Sequence, residues 1–140
     1  MDDKAGYEQG MRMRRTVLGD AHVDNSIANL NDFTRDFQDL ITRYAWGEVW
    51  TRPGLPRHTR SLITLAMLVA LNREDEFKMH IRAAFNNGVT QAEIQEVLLQ
   101  AALYCGLPAA NSAIQWALQV FASMDLAPDS KTEGTSVSLT

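Results

Sequence analysis

This chain of 140 residues contains little cysteine and proline, carries no excess of positive charge and has no long apolar run. The one cysteine, Cys105, excludes an internal disulfide, a thiolate zinc site and a CxxC redox pair, and it favours a reducing compartment such as the cytoplasm. A formal net charge of −4 offers no basic footprint to nucleic acid or to an anionic membrane surface. The longest apolar run, Leu62 to Leu71, falls well short of the roughly 20 residues that span a bilayer. We therefore expect neither a nucleic-acid partner nor a membrane span.

Strand signals are missing as well, because no segment alternates apolar and polar residues over six positions. Apolar residues instead recur at helical spacing, which predicts helices over 7–18, 32–46, 59–71, 74–87, 91–104 and 108–124, with a short turn or helix at 25–30. Glycines at 19 and 47 are predicted to end the first two long helices. The sequence thus predicts a single-domain, all-α helical bundle over residues 1–127. The polar residues 128–140 are predicted to form a disordered tail.

The predicted helix at 59–71 is apolar nearly all round from Leu62 onward. A helix of this pattern is buried on every side, either by its own domain or by a partner chain. One small domain can hardly bury such a helix completely. The pattern therefore favours a homo-oligomer.

His80 is the first candidate for chemistry. It lies beside the apolar stripe formed by Phe77, Ile81 and Ala84, and Glu76 precedes it by one helical turn. A carboxylate at that spacing can hold the imidazole ring and raise its pKa, as a proton donor requires. The alternative is a core histidine with a hydrogen-bond partner, or a surface pair.

A basic loop is the second candidate. Arg52, Arg57, His58 and Arg60 fall within nine residues that contain no acid. Arginine forks match carboxylates, so this loop points to a small anion with more than one carboxylate. The alternative is helix capping and surface ion pairs with nearby acidic residues.

Aromatic residues flank this loop and end a later helix. Trp46 and Trp50 either line a pocket or fill a core, and Tyr104 either donates a hydrogen bond into a pocket or caps a helix. The three histidines, which lie at positions 22, 58 and 80, lack a metal-binding spacing, so no metal site is predicted.

Three motifs in register carry a resemblance to a known family. They are WGEVWTRPGLPRHTRSL at 46–62, MHIRAAFNNGVT at 79–90 and YCGLPAANSA at 104–113. Over roughly residues 7–128, the chain resembles the carboxymuconolactone decarboxylase family. The wider alkylhydroperoxidase-like superfamily carries a glutamate, a CxxC pair and a histidine. When that histidine is matched to His80, the cysteine positions fall on Arg73 and Glu76 and the glutamate falls near Ser61, so thiol peroxidase chemistry is not carried over.

The resemblance implies an alkylhydroperoxidase-like helical bundle in a ring-like homo-oligomer, a hexamer, with no cofactor. It implies decarboxylation of a small dicarboxylate lactone, 4-carboxymuconolactone, to β-ketoadipate enol-lactone in protocatechuate breakdown. Two alternatives stay open, namely a thiol-dependent peroxidase of the same superfamily and a non-enzymatic helical assembly module.

The chemistry of this substrate suggests a role for each candidate residue. His80, oriented by Glu76, would deliver a proton to carbon. Three arginines would hold the dianion, and His58, Tyr104 or an arginine would stabilise the developing oxyanion. Two tryptophans, with Leu55 and Met79, would form an apolar wall. The arginines are Arg52, Arg57 and Arg60, and the tryptophans are Trp46 and Trp50.

Overall fold

Seven α-helices and one π-helical segment build residues 2–127, the part of the chain that this computed structural model describes. The α-helices are α1 (Asp3–Leu18), α2 (Asp20–Ala28), α3 (Arg35–Ile41), α4 (Arg57–Ala70), α5 (Glu74–Asn86), α6 (Gln91–Cys105) and α7 (Leu107–Ser123). The π-helical segment, Thr42–Val49, continues α3. No strand occurs among these residues, so the all-α prediction is confirmed. The predicted tail at 128–140 lies outside the described residues.

Local signals in the sequence set several helix ends. Thr90 accepts a hydrogen bond from the backbone N–H of Glu93, whose carboxylate accepts one from the Thr90 N–H in return, so the predicted start of α6 is confirmed. Gly88 follows α5 with a φ of 81°, the left-handed conformation expected there. No helix within residues 2–127 is long and apolar enough to cross a membrane.

Two predicted boundaries are wrong at the start of the chain. The first helix begins at Asp3 rather than at residue 7, because the Asp2 carboxylate accepts a hydrogen bond from the Ala5 N–H and caps it. The short turn or helix predicted at 25–30 is part of a full helix, α2, which already starts at Asp20. Gly19 adopts a φ of 91°, which allows α1 to end and α2 to start at the next residue.

Gly47 does not end a helix, as the sequence had suggested, but lies inside the π-helical segment. A Cβ atom at Gly47 would come within 2.6 Å of the Gly6 carbonyl oxygen, and one at Gly10 would collide with the Thr42 carbonyl oxygen. Helix α1 and the π-helical segment therefore cross with their backbones in close approach. The glycines are required by this contact rather than by chain termination.

The main core lies among α4, α5, α6 and α7, with Leu65, Phe77, Ile81 and Ile94 at its centre. A smaller cluster joins α1 and the π-helical segment to α5 through Val17, Trp46 and Ala83. This second cluster holds the π-helical segment against one face of α5.

Helix α4 is not buried on every side within one chain. Ser61, Leu65 and Val69 are buried, whereas Met67 and Leu71 are exposed. The apolar run is therefore only partly buried among the described residues.

Candidate active site

His80 lies on the inner face of α5, where the helical spacing predicts it, and only 9% of its surface is exposed. Its ring packs nearly parallel to those of Trp46 and Trp50, with ring centroids 6.5 Å and 6.3 Å apart and interplanar angles of 18° and 14°. The two indoles are themselves 5.1 Å apart. The π-helical segment carries Trp46, and Trp50 follows its last residue. An irregular helix of this kind frequently marks a functional site, and here it delivers both indoles to one imidazole.

The imidazole of His80 is neutral near pH 7. Burial, and to a smaller extent the charge of nearby His22, lower the pKa of His80 to about 4, against an opposing effect of the Glu76 carboxylate. The buried Nδ1 atom has no hydrogen-bond partner among the described residues. A polar atom of this kind in a buried, aromatic setting is typical of a group that acts on a ligand.

Glu76 does not hold the ring of His80 by a hydrogen bond within residues 2–127. Its charge does raise the pKa of His80, as expected, but by less than burial and the charge of His22 lower it. Its carboxylate accepts a hydrogen bond from the Arg73 guanidinium at 2.7 Å, and this bond is the main cause of a lowered pKa of Glu76. Both side chains are substantially exposed, so the pair forms where water still solvates it. The two cysteine positions of the peroxidase motif thus carry an ion pair in this chain.

The arginines of the basic loop are only partly engaged. Arg52 and Arg57 are exposed, and neither side chain forms an ion pair within residues 2–127. Arg60 donates to the Arg52 carbonyl oxygen at 3.2 Å, which ties the loop to the first turn of α4, and its buried Nε atom has no partner. The loop therefore presents two free guanidinium groups to solvent.

Neither His58 nor Tyr104 makes a ring contact with the two indoles within the described part of the chain. The Nε2 atom of His58 lies 2.7 Å from the Glu93 carboxylate, which joins the start of α4 to the start of α6. Tyr104 is 83% exposed and lines a groove of about 530 Å³ between α4 and α6. Neither this groove nor a second one of about 670 Å³ between α6 and α7 is lined by His80.

Two basic residues near His80 escaped the sequence reasoning. Arg14 on α1 is 7% exposed, and its guanidinium donates to Thr42 and Gln38. His22 on α2 lies close enough to Arg14 and to His80 for the charges to affect one another. The sequence signal that could have revealed Arg14 is its helical spacing from Gly10 and Val17, which places this charged residue on the same face of α1.

The described residues contain no group of three or more histidine, cysteine, aspartate or glutamate side chains that could hold a metal ion. Cys105 is a half-buried free thiol at the end of α6. Ser61, near the glutamate position of the peroxidases, is buried and accepts a hydrogen bond from the Asn87 amide at 2.9 Å. None of these groups offers the paired thiols of a peroxidase cycle.

Comparison with known proteins gives a consistent result. The sequence profile of the carboxymuconolactone decarboxylase family matches residues 35–119. A 4-carboxymuconolactone decarboxylase of Acinetobacter baylyi is 57% identical over 92% of this chain and 96% of its own length. A nitrosuccinic acid decarboxylase of Metarhizium robertsii is 46% identical over 77% of this chain and 76% of its own length.

Proposed function

The chain belongs to the carboxymuconolactone decarboxylase family, and we propose that it converts 4-carboxymuconolactone to β-ketoadipate enol-lactone without a cofactor. The similarity to the Acinetobacter enzyme, which extends over nearly both chains, carries this proposal. Protocatechuate breakdown is the pathway that the reaction serves. The single cysteine supports a cytoplasmic location.

The substrate supplies its own electron sink. Its γ-carbon carries one carboxylate and an acetate arm that ends in the second. When the bond from the γ-carbon to the first carboxylate breaks, CO₂ leaves and the electron pair moves through the ring double bond onto the lactone carbonyl oxygen. A proton added to the α-carbon then gives the enol-lactone. The protein must bind a dianion, stabilise the oxyanion and deliver one proton.

We assign proton delivery to His80. Since its imidazole is neutral in the free protein, it must take up a proton when the dianion binds, because a nearby carboxylate raises the pKa of a histidine. Glu76 acts as a positioning residue whose charge favours the protonated ring from a distance. Trp46 and Trp50 form an apolar wall where a carboxylate is favoured to leave as neutral CO₂.

Arg52 and Arg57 are proposed to attract the dianion from the solvent side, since neither guanidinium pairs with an acidic residue within residues 2–127. Arg60 supports them by fixing the loop. The oxyanion donor stays a proposal between His58 and Tyr104. Either residue would first have to leave its observed setting or meet the substrate through a second copy of the chain.

We also propose a ring-like homo-oligomer, a hexamer as the family resemblance implies. Exposed apolar side chains support it, above all a stripe on α3 and the segments beside it, in which Phe33 is 95% exposed and Phe37, Leu40 and Tyr44 follow at helical spacing. The apolar groove between α6 and α7 is a second surface of this kind. Light scattering at micromolar concentration should give a multiple of 15.6 kDa, and a monomer mass would contradict the assembly.

The Metarhizium relative suggests a broader substrate class. Nitrosuccinic acid and 4-carboxymuconolactone are both succinates in which the carbon that loses CO₂ bears an electron-accepting group. We infer that this chain acts on succinates with such a group. Slow decarboxylation of nitrosuccinate would support the class, and its absence alongside rapid turnover of the lactone would restrict the protein to lactones.

An ultraviolet assay of the purified protein tests the main proposal. Loss of the lactone and formation of the enol-lactone should accompany release of one CO₂ per molecule consumed. Cys105→Ser serves as a matched control, because a decarboxylase keeps its rate in that variant whereas a thiol-dependent peroxidase loses peroxide turnover. Absence of lactone turnover by the folded protein would refute the proposed function.

A further inference from the structure

Arg14 carries a buried positive charge that no carboxylate of the described residues neutralises. Its guanidinium donates to the Thr42 hydroxyl at 3.4 Å and to the Gln38 side-chain oxygen at 3.0 Å, and both acceptors are neutral. Its buried Nε atom has no hydrogen-bond partner. Buried arginines are normally paired, because leaving a desolvated cation without an anion is costly. This residue therefore has the properties of an anion ligand rather than those of a structural ion pair.

The position of Arg14 connects it to His80. Both side chains lie against the π-helical segment, Arg14 at Thr42 and His80 at Trp46, which follows Thr42 by one turn. Helices α1 and α5, which carry the two residues, also pack against each other. A ligand seated against this segment can therefore reach toward both groups.

His22 joins the two residues into one basic cluster. Burial lowers the pKa of His22, and the guanidinium groups of Arg14 and Arg82 lower it further, while the charge of His22 acts in turn on His80. The carboxylates of Asp20 and Asp24 on the same helix bind Arg15 instead. The lowered pKa values favour the neutral form of both imidazoles, so the positive charge of this cluster is that of Arg14, and Glu76 is the one carboxylate that acts on the His80 ring.

We propose that Arg14 and His22 form a carboxylate-binding subsite beside His80, and that this subsite takes the acetate-arm carboxylate, which stays on the substrate. The assignment rests on the proposed function for the identity of the substrate. A carboxylate that departs as CO₂ loses its charge in the transition state, so a strong ion pair to it would slow the reaction. The arm carboxylate keeps its charge throughout, and a buried guanidinium binds the ground state and the transition state alike.

This role predicts a defined kinetic signature for Arg14→Met. Loss of uniform binding raises KM for the lactone about 10- to 100-fold, the usual effect of removing a charge-assisted hydrogen bond, and leaves kcat within about threefold. The melting temperature should stay unchanged or rise, since the variant removes an uncompensated buried charge. Arg12→Met is the matched control, because Arg12 is an exposed arginine on the same helix.

Calorimetric binding of succinate tests the subsite without turnover. Succinate should bind Arg14→Met about 10- to 100-fold more weakly than the wild type, and His22→Asn several-fold more weakly, while Arg12→Met keeps the wild-type Kd. Arg14→Lys, which retains the charge and loses the fork, should bind with intermediate affinity, and it keeps the test available if Arg14→Met does not fold.

A wild-type Kd for succinate in folded Arg14→Met or Arg14→Lys would overturn the proposal. So would a lower melting temperature combined with an unchanged KM, which is the signature of a structural arginine. If instead the wild type binds succinate through Arg14 but does not decarboxylate the lactone, the proposed function fails and the subsite stands.

Discussion

Binding of a dicarboxylate should transfer a proton from solvent to His80. With a pKa of about 4 in the free protein, roughly 1% of His80 is protonated at pH 6 by simple titration. A carboxylate within about 4–6 Å raises such a pKa by about 1–3 units, and the dianion brings two. A rise to about 7 corresponds to about 4 kcal/mol of interaction with the ligand. It would leave His80 about nine-tenths protonated at pH 6 in the complex.

Calorimetry measures this uptake directly. Succinate is titrated into the protein at pH 6 in several buffers that differ in their ionisation enthalpy. The slope of the observed binding enthalpy against the buffer ionisation enthalpy gives the number of protons exchanged. The wild type should take up about one more proton than His80→Gln, which has no titrating group at that position. Equal slopes in the two proteins, with succinate bound to both, would refute proton uptake by His80.

Three further perturbations test other parts of the account. Between pH 6.5 and 4, His80 becomes protonated in the unfolded chain but stays largely neutral in the folded protein. The free energy of unfolding, measured by chemical denaturation, should therefore fall by about 3 kcal/mol as the pH drops, and His80→Gln should remove this loss. Gly10→Ala should lower the free energy of unfolding by at least about 1–3 kcal/mol in the same experiment, because the new Cβ would meet the Thr42 carbonyl. Gly54→Ala is the control, because open space surrounds Gly54, and it should lower that free energy far less. Equal effects of the two substitutions would contradict the close crossing. Arg52→Met should weaken lactone binding by about 1.5 kcal/mol with an unchanged melting temperature, and an unchanged KM would make the loop structural.

Features set by neighbouring residues were predictable from the sequence. The start of α6 and the inward face of α5 follow from short-range residue patterns, and both predictions are confirmed. The same kind of spacing failed for Glu76. An arginine one turn before it competes for the carboxylate at the solvent-exposed end of α5, and that competition depends on side-chain exposure rather than on sequence distance.

The π-helical segment was not predictable, because its cause lies about thirty residues away in the chain. Gly6 and Gly10 let the backbone of α1 approach it closely, and Gly47, which in isolation reads as a helix terminator, completes that contact. The basic cluster was missed for the same reason. Arg14 and His22 come together only once α1 packs against α2 and α5, whereas the loop arginines stood out because they are close in sequence.

The central claim is that His80 delivers the proton that completes decarboxylation. Its most direct test is kcat for 4-carboxymuconolactone in wild type and His80→Gln at pH 7, with the melting temperature taken on the same preparations. We expect His80→Gln to fold with a melting temperature near that of the wild type and to lose about 10²–10⁴ in kcat, the usual contribution of general acid–base catalysis. Near-normal kcat in folded His80→Gln would contradict the account and return His80 to the status of a core histidine.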